Sequence, residues 1–586
     1  MGSFLFSRSI IQWKSTLVRI KEFSERAIHQ ALKISYDGLH ETEKKIFLYI
    51  ACFFNHEDKN SVVKKLDYLG LYPVVGLEVL VEKSLIKMND LQVWMHDLLQ
   101  DMGKKIVHEE FPEEPGKRSI LWSFEDINSV LTNNTGTEAI QGIVLELPES
   151  KEAYWNPDSL SKMHHLKLLR INNVQLLHEP KHLPISLRFL EWSGYPSKSL
   201  PSNFQSNELV ELYMCRSCIE QLWKGAKSFE KLKIILMNES PNLIQTPDLI
   251  RVPNLEKMVL EDCLNLREIH PSTGVHTRLT LLNLKSCVNV KTLPSKFEME
   301  SLKVLILSGC LKLKKIPEFG ENMQCVLKLY LDGIAITKLP TSIGHLTNLV
   351  LLNVRDCKSL MCLPSSIFNL KFLKDVNISG CSKLERLPEN VGNVDSVGEL
   401  DVSGTAIKEV PSSFGLLKNL KVLSFSGCKG LSSFNSTSWY DLPFSSRPKI
   451  ANPVGLSFLS GLCSLTELKL RDCNLREIPN DIGCLFFLEK IDLSENSFVC
   501  LPDSISQLCK LEKMDLKNCT SLQSLPKLPV DIVVIWGDGC TSLEAVSDLR
   551  KPNSFCKGEL YLSDCSKLVD NQDFIDIFWA VIIKHH

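Results

Sequence analysis

The stretch Leu279–Cys287 reads LTLLNLKSC, and its pattern, L-x-x-L-x-L-x-x-C, returns as LKVLILSGC from Leu302, LVLLNVRDC from Leu349 and LKDVNISGC from Leu373. Aligned first positions fall at 166, 187, 209, 232, 255, 279, 302, 326, 349, 373, 397, 420, 465, 488, 511, 532 and 557. The step is 21 to 25 residues, apart from one of 45 between Leu420 and Leu465. This period predicts an α/β fold: a leucine-rich repeat solenoid, or parallel-strand horseshoe. Each unit supplies a short strand (x-L-x-L-x), a turn and a variable convex segment. Many units close on Leu-Pro, as at Leu293-Pro294, Leu339-Pro340, Leu363-Pro364, Leu387-Pro388 and Leu501-Pro502. Proline suits the convex side, where its missing N–H breaks no strand ladder.

The rest of the 586 residues is read against this array. The formal net charge of −2 gives no global field for nucleic acid or an anionic membrane. With 44% apolar and 23% charged residues the chain is globular rather than disordered. Half of the 20 cysteines close a repeat: Cys263, Cys287, Cys310, Cys357, Cys381, Cys428, Cys473, Cys519, Cys540 and Cys565. That ninth position needs a small, inward side chain able to hydrogen-bond backbone, so these thiols are expected to be buried packing groups. A reducing, cytoplasmic or nuclear setting follows from that reading. The opening MGSFLFSRSIIQWKST has no continuous apolar core and no small-residue cleavage site, which argues against a secretory signal. Gly2 is not followed by Ser or Thr at Phe6, as N-myristoylation would need. FIDIFWAVII, residues 574–583, is too short to span a bilayer.

Residues 1–110 follow a different rule. Ile28, Leu32, Ile34 and Leu39, then Ile46, Tyr49, Ile50 and Phe53, recur at helical spacing. Asp37-Gly38 breaks the first helix, and Glu41-Thr42-Glu43 places acids at the start of the next. LEVLVEKSLIKMNDLQVWMHDLLQDMGKKIV reads as helix, strand, tight Asn89-Asp90 turn, strand, helix, which is the winged-helix order. Residues 111–150 form a connector and the entry to the solenoid, with IQGIVLEL as its opening strand. The repeats, about 17 of them, fill residues 151–569, and a tail occupies 570–586. Near 430–462 either a degenerate repeat or a loop island interrupts the array.

Four segments, ALKISYDGLHETEKKIFLYIACFF, GLEVLVEKSLI, WMHDLLQDMGKKIV and EEPGKRSILW, resemble plant intracellular nucleotide-binding leucine-rich repeat disease-resistance proteins. LYLDGIAITKLP and LDVSGTAIKEVP within the repeats, and the late SDCSKLVDNQ, resemble them too. The subclass resembled carries an N-terminal Toll/interleukin-1 receptor (TIR) domain. The resemblance covers nearly the whole chain. It implies that residues 1–30 end a helical-bundle domain of the family's switch module, and that 31–110 are its winged-helix domain. It implies further that the signalling domain and the nucleotide-binding core lie outside this sequence, so the chain is expected to be a truncated member.

The Gly-Lys-x-Ser at Gly116–Ser119 has Phe111 where a phosphate-binding loop needs glycine, so no phosphate cradle and no ATP hydrolysis are expected. No enzyme activity and no bound cofactor are expected of this chain, although the resemblance implies ADP or ATP in intact family members. Met95-His96-Asp97 matches the family's MHD motif. There the resemblance gives His96 a contact to the β-phosphate of ADP, and Asp97 a role in holding the winged helix against the nucleotide-binding domain; otherwise the pair simply caps a surface helix. Cys215-x-x-Cys218 has no second pair at metal-binding spacing, so no metal site is expected.

Fifth and seventh positions of each repeat point out of the inner sheet, and the expected protein-binding concave face carries Tyr213, Asn283, Lys285, Tyr330, Asp332, Asn353, Arg355, Asp401, Lys469, Arg471, Asp492, Asp515 and Lys517. The expected partners are a pathogen effector or a guarded host protein, and the nucleotide-binding domain of a full-length relative. Nucleic acid and a membrane span are not. The functional expectation is a plant immune-receptor fragment whose solenoid recognises a protein. The alternative is a decoy or an interaction scaffold without signalling.

Overall fold

The structure, a computed structural model, describes residues 33–89, 91–430, 454–546 and 559–569. The expected helical-bundle end (1–30), most of the 430–462 interval and the 570–586 tail lie outside the described residues. Two compact units form: residues 1–240 with 250–255, and residues 241–249 with 256–586.

The first unit opens with a winged helix. Helix α1 (Glu41–Tyr49) starts at a capping box: the His40 ring accepts from the Thr42 N–H, and Glu43 accepts from the His40 N–H at 2.8 Å. These bonds satisfy donors that a helix start leaves free, and Glu41 and Glu43 complement its dipole. The chain continues as a π-helical turn, Ile50–Phe54, whose five residues are all buried. Helices α2 (Lys59–Tyr68) and α3 (Pro73–Glu82) follow, then an antiparallel pair, β1 (Lys87–Met88) and β2 (Val93–Trp94), and α4 (Asp97–Glu110). At the wing tip Asn89 Oδ1 accepts from the Leu91 and Gln92 N–H groups, which closes the turn. Ile46, Phe47, Ile50, Phe54, Val62, Leu66, Leu80, Val93, Met95 and Val107 make the core. Each such side chain contributes about 1.5–3 kcal/mol on burial. Ile34, by contrast, is exposed, while Tyr36 and Leu39 are buried.

The repeat sheet begins inside the 111–150 segment. Strand β3 (Ile120–Leu121) pairs in parallel with β4 (Gly142–Ala153), followed by β5 (Leu168–Leu176), β6 (Phe189–Trp192), β7 (Glu211–Tyr213) and β8 (Ile234–Leu236). The turn before β3 is held by Arg118, only 1% exposed. Its guanidinium donates to the carbonyls of Phe111 (2.8 Å) and Pro112 (2.6 Å) and to Asp126 on α5 (Phe124–Thr132) at 2.8 Å. The Gly-Lys of this segment is a 3-10 turn, Pro115–Lys117. At Gly142 the winged helix comes close: an added Cβ would lie 2.4 Å from the Phe53 ring.

The second unit is the repeat array proper, with one three-residue strand per repeat from Lys257–Val259 to Glu559–Tyr561. Its strands pair in parallel, third position to third and fifth to fifth, as in Leu351↔Asp375↔Glu399 and Asn353↔Asn377↔Asp401. Fourth and sixth positions are buried, for example Leu282 and Leu284, or Leu352 and Val354. The ninth-position thiols turn inward and form a ladder. Each donates to the sixth-position carbonyl of the preceding repeat: Cys287 to Leu260 (3.0 Å), Cys310 to Leu284 (3.2 Å), Cys357 to Leu331 (3.1 Å), Cys381 to Val354 (3.2 Å) and Cys519 to Leu493 (3.3 Å). Asn496 occupies the same place and reaches the Leu470 carbonyl at 2.7 Å.

Just before the thiol the backbone turns left-handed. φ is 59° at Asp262, 73° at Gly309, 55° at Asp356, 71° at Gly380 and 58° at Asn518. Gly, Asp and Asn suit that conformation. Across the turn the prolines sit where expected, preceding 3-10 segments such as Thr341–His345 (after Pro340) and Asp503–Gln507 (after Pro502). These segments stack tightly: a Cβ on Gly392 would meet the Ser413 carbonyl at 1.8 Å. Across the long interval Val422–Ser424 pairs directly with Glu467–Lys469, Val422 opposite Glu467. Among the described residues the interval adds no strand of its own.

Candidate protein-recognition face

Third, fifth and seventh positions reach solvent on one side of the repeat strands, and most of the expected face residues lie there in the second unit. The structure also shows what each is doing locally. At fifth positions the Asn or Asp side-chain Oδ1 accepts the N–H two residues on: Asn283 from Lys285 (2.9 Å), Asn353 from Arg355 (3.0 Å), Asp401 from Ser403 (3.0 Å), Asp492 from Ser494 (3.0 Å) and Asp515 from Lys517 (3.0 Å). These side chains thus shape the turn into the left-handed residue as well as facing outward. Asn283 is buried, unlike its counterparts.

Charged members of the face are partly paired. Lys285 meets Glu261 at 2.6 Å, Lys469 meets Glu467 at 2.8 Å and Arg471 meets Glu495 at 2.6 Å. Asp332 accepts from Ser308 (2.6 Å) and Asn353 (3.2 Å). Arg355 is exposed and, among the described residues, reaches only its neighbour Asp356, at 3.1 Å. Tyr330 is half-exposed, and Lys517 sits over the Trp536 ring, 5.4 Å from its centroid. Burial pushes the Asp515 carboxyl above its ordinary range.

Tyr213 belongs elsewhere. In the first unit it lines a cavity of about 20 Å³ with Phe54 and Lys65 of the winged helix and Arg170, Phe189 and Glu191 of the first repeats. Arg170 ties this region together: it donates to Glu57 (2.6 Å), Glu191 (2.8 Å), Glu146 (3.1 Å) and the Phe53 carbonyl (3.3 Å). Glu57 also takes Lys65 at 2.9 Å. Burial alone pushes the Glu57 carboxyl up; the charges and hydrogen bonds of Lys65 and Arg170 outweigh it and hold the group below the usual carboxylate range.

His96 and Asp97 sit exposed at the start of α4, with Met95 buried behind them. His96 is the N-cap: its Nδ1 accepts from the Leu98 N–H at 3.2 Å, and its ring meets Trp94 edge-on at 5.8 Å. Accepting at Nδ1 places the ring proton on Nε2 in the neutral form. Nε2 is then a donor, the kind of group an anionic oxygen accepts from. Cys215 and Cys218 are free thiols, and among the described residues no His, Cys, Asp or Glu group of three or more could hold a metal. Nor is any described helix long and apolar enough to cross a membrane.

Sequence reasoning from fifth and seventh positions missed three residues of the same face: Asp375 and Glu399 at third positions, and Trp536 at a fifth. The same alignment contains them: the two acids at its third positions, and Trp536 at the fifth position of the repeat from Ile532.

Comparison with known proteins agrees with this layout. Residues 40–111 match the winged-helix domain of Roq1-like disease resistance proteins. Residues 297–387 and 383–559 match the leucine-rich repeats of RPS4B-like disease resistance proteins, and 208–227 match a general leucine-rich repeat. The chain is 37% identical over 538 residues to the TMV resistance protein N of Nicotiana glutinosa, covering 91% of this chain and 45% of that protein. It is 36% identical to the disease resistance protein RPP2B of Arabidopsis thaliana, over 93% of this chain and 44% of that one. Among solved structures, the leucine-rich repeat protein LIC12759 of Leptospira interrogans aligns with a TM-score of 0.43 and 21% identity, over 72% of this chain and 90% of that chain.

A winged helix followed by a parallel leucine-rich repeat array defines the class. The chain carries the winged helix and the leucine-rich repeats of plant disease-resistance proteins of the Roq1- and RPS4B-like kind. It spans less than half the length of the curated relatives named above.

Proposed function

We propose that this chain is the sensing region of a plant immune receptor, whose repeat face recognises a pathogen effector or a guarded host protein. The observation that carries this reading is the in-register strand face of the second unit. It sets half-exposed apolar, aromatic and charged side chains side by side over many repeats. Such a surface offers contact area and anchors for a protein and no enclosed reaction centre. The winged helix is joined to the first repeats through Arg170 and Glu57, a connection through which a partner's differential affinity for two states could reach a switch. His96, with Asp97 beside it, would contact the phosphate of ADP when a nucleotide-binding domain is present.

The test is a binding screen of the purified chain against pathogen effectors and host proteins. Saturable binding that is lost on combined Lys469→Glu and Arg471→Glu substitution supports the reading. Turnover of ATP or NAD by the purified chain would contradict it, as would tight ADP binding without a partner domain.

A further inference from the structure

The strand face of the second unit divides into two patches that adjoin in register. On the first, Leu281, Val304, Ile306, Tyr330 and Leu351 are all half-exposed. Leu281 stands opposite Val304, and Ile306 opposite Tyr330. The exposed cation Lys328 lies between Val304 and Leu351, and the exposed Lys285 and Arg355 stand at the seventh positions of the first and last of these repeats. The second patch starts on the next strand. Leu351 stands opposite Asp375, Asp375 opposite Glu399, and Asp401 follows two residues after Glu399. With strands about 4.8 Å apart, the strand of Ile306 lies about 14 Å from that of Asp375.

The carboxylates of the second patch are uncompensated. Among the described residues none of the three takes part in an ion pair, and Asp401 accepts only from its own turn residue, Ser403. Burial, then the neighbouring charges of Glu399 and Asp401, push the Asp375 carboxyl above its ordinary range. Like charges held this close on a fixed sheet repel one another, and an incoming cation relieves that repulsion. The apolar patch supplies the contact area that such a charge contact lacks by itself.

We propose that this region, from Leu281 to Asp401, docks a protein partner presenting apolar side chains flanked by lysine or arginine. The inference rests on the protein-recognition reading above and adds the chemistry of the partner. The apolar side chains of the partner cover Ile306, Tyr330 and Leu351, and its cations sit between Asp375, Glu399 and Asp401. An acidic partner is rejected on the same ground.

The test is selection of random displayed dodecapeptides on the whole chain, followed by affinity measurements on synthetic copies of the winners. Winners should combine apolar residues with Lys or Arg and lose about tenfold or more in affinity on combined Glu399→Lys and Asp401→Lys substitution. Ile306→Asp should weaken them as well, and raising salt should weaken them further. Glu399 is exposed, and Glu399→Gln, with a smaller loss, guards against a folding defect in the charge-reversed form. Winners rich in Asp or Glu would overturn the proposal. So would self-association of the chain that Glu399→Lys abolishes, because the occupant would then be a second copy. Winners sensitive only to Lys469→Glu and Arg471→Glu would overturn this patch and leave the recognition reading standing. Winners indifferent to every face substitution would overturn both.

Discussion

The thiol of Cys287 donates to the carbonyl of Leu260, one repeat back, at 3.0 Å. The same sixth-to-ninth relation recurs at Cys428 with Val402 (3.2 Å) and Cys540 with Leu516 (3.2 Å). It ties each turn to the previous repeat, beside backbone bonds between repeats such as that from the Ser286 N–H to the Ser308 carbonyl at 2.7 Å. Cys287→Ser keeps a donor in a similar volume, whereas Cys287→Val keeps the bulk and leaves the Leu260 carbonyl short of a partner. The valine form should lose about 1 kcal/mol relative to the serine form, read as a lower urea midpoint at unchanged slope.

The ladder thiols should also be chemically silent. Burial pushes Cys310, Cys473 and Cys519 up to about 12, and Cys540 up to about 11. The thiolate is the nucleophile, so at pH 8 an alkylating reagent should label the exposed Cys325, Cys362, Cys484 and Cys500 and spare the ladder until the chain is unfolded. A folded-state value above the unfolded one stabilises the fold below the unfolded value, and this is lost as pH rises through the folded value. Stability should therefore fall between about pH 9 and pH 12. Peptide mapping after labelling and unfolding curves against pH check both statements.

Arg118 clips the entry to the repeats together. Its removal leaves two carbonyls and Asp126 without their donor inside the fold. Arg118→Met should cost on the order of 3 kcal/mol, and Arg118→Lys should recover only part, because an ammonium cannot reproduce the forked geometry. Thermal unfolding of the two variants side by side decides this.

Glu57 joins the winged helix to the first repeats through Arg170 and Lys65. Its folded-state value lies below the ordinary one, so its contribution is complete above the ordinary carboxylate range, near pH 4.3, and is lost as pH falls through the folded value. Glu57→Gln should remove about 2 kcal/mol near neutral pH and flatten the acid limb of the stability profile. Hydrogen exchange should quicken first in α2 and β5, the elements it links.

Much of this fold is legible in the spacing of leucines, because a strand that buries alternate residues once per repeat leaves a fixed period. The inward cysteines were legible too, since only a small donor fits against the preceding turn. The left-handed residue was visible as Gly, Asp or Asn before the cysteine, in SGC, RDC and KNC, yet hydrophobic periodicity does not register it. The true start of the sheet at Ile120 was hidden, because β3 is two residues long and its turn depends on a buried arginine rather than on a leucine pattern. Tyr213 obeys the repeat pattern and still faces a cavity, because the winged helix comes from a distant part of the sequence to cover it. The acidic patch at Asp375, Glu399 and Asp401 needed the strand register, which sets side by side residues that lie a full repeat apart.

The central claim is that the strand face of the repeats is where a protein binds. Cross-linking and mass spectrometry of the chain with a bound effector or host protein tests it most directly. Cross-links should gather on strand-face residues such as Lys328, Lys469 and Lys517, and binding should fail when these repeats carry Glu399→Lys with Asp401→Lys or Lys469→Glu with Arg471→Glu. A bound partner whose cross-links fall only on the opposite 3-10 side, near Lys371, Lys418 and Lys510, and whose affinity ignores all four substitutions, would contradict it.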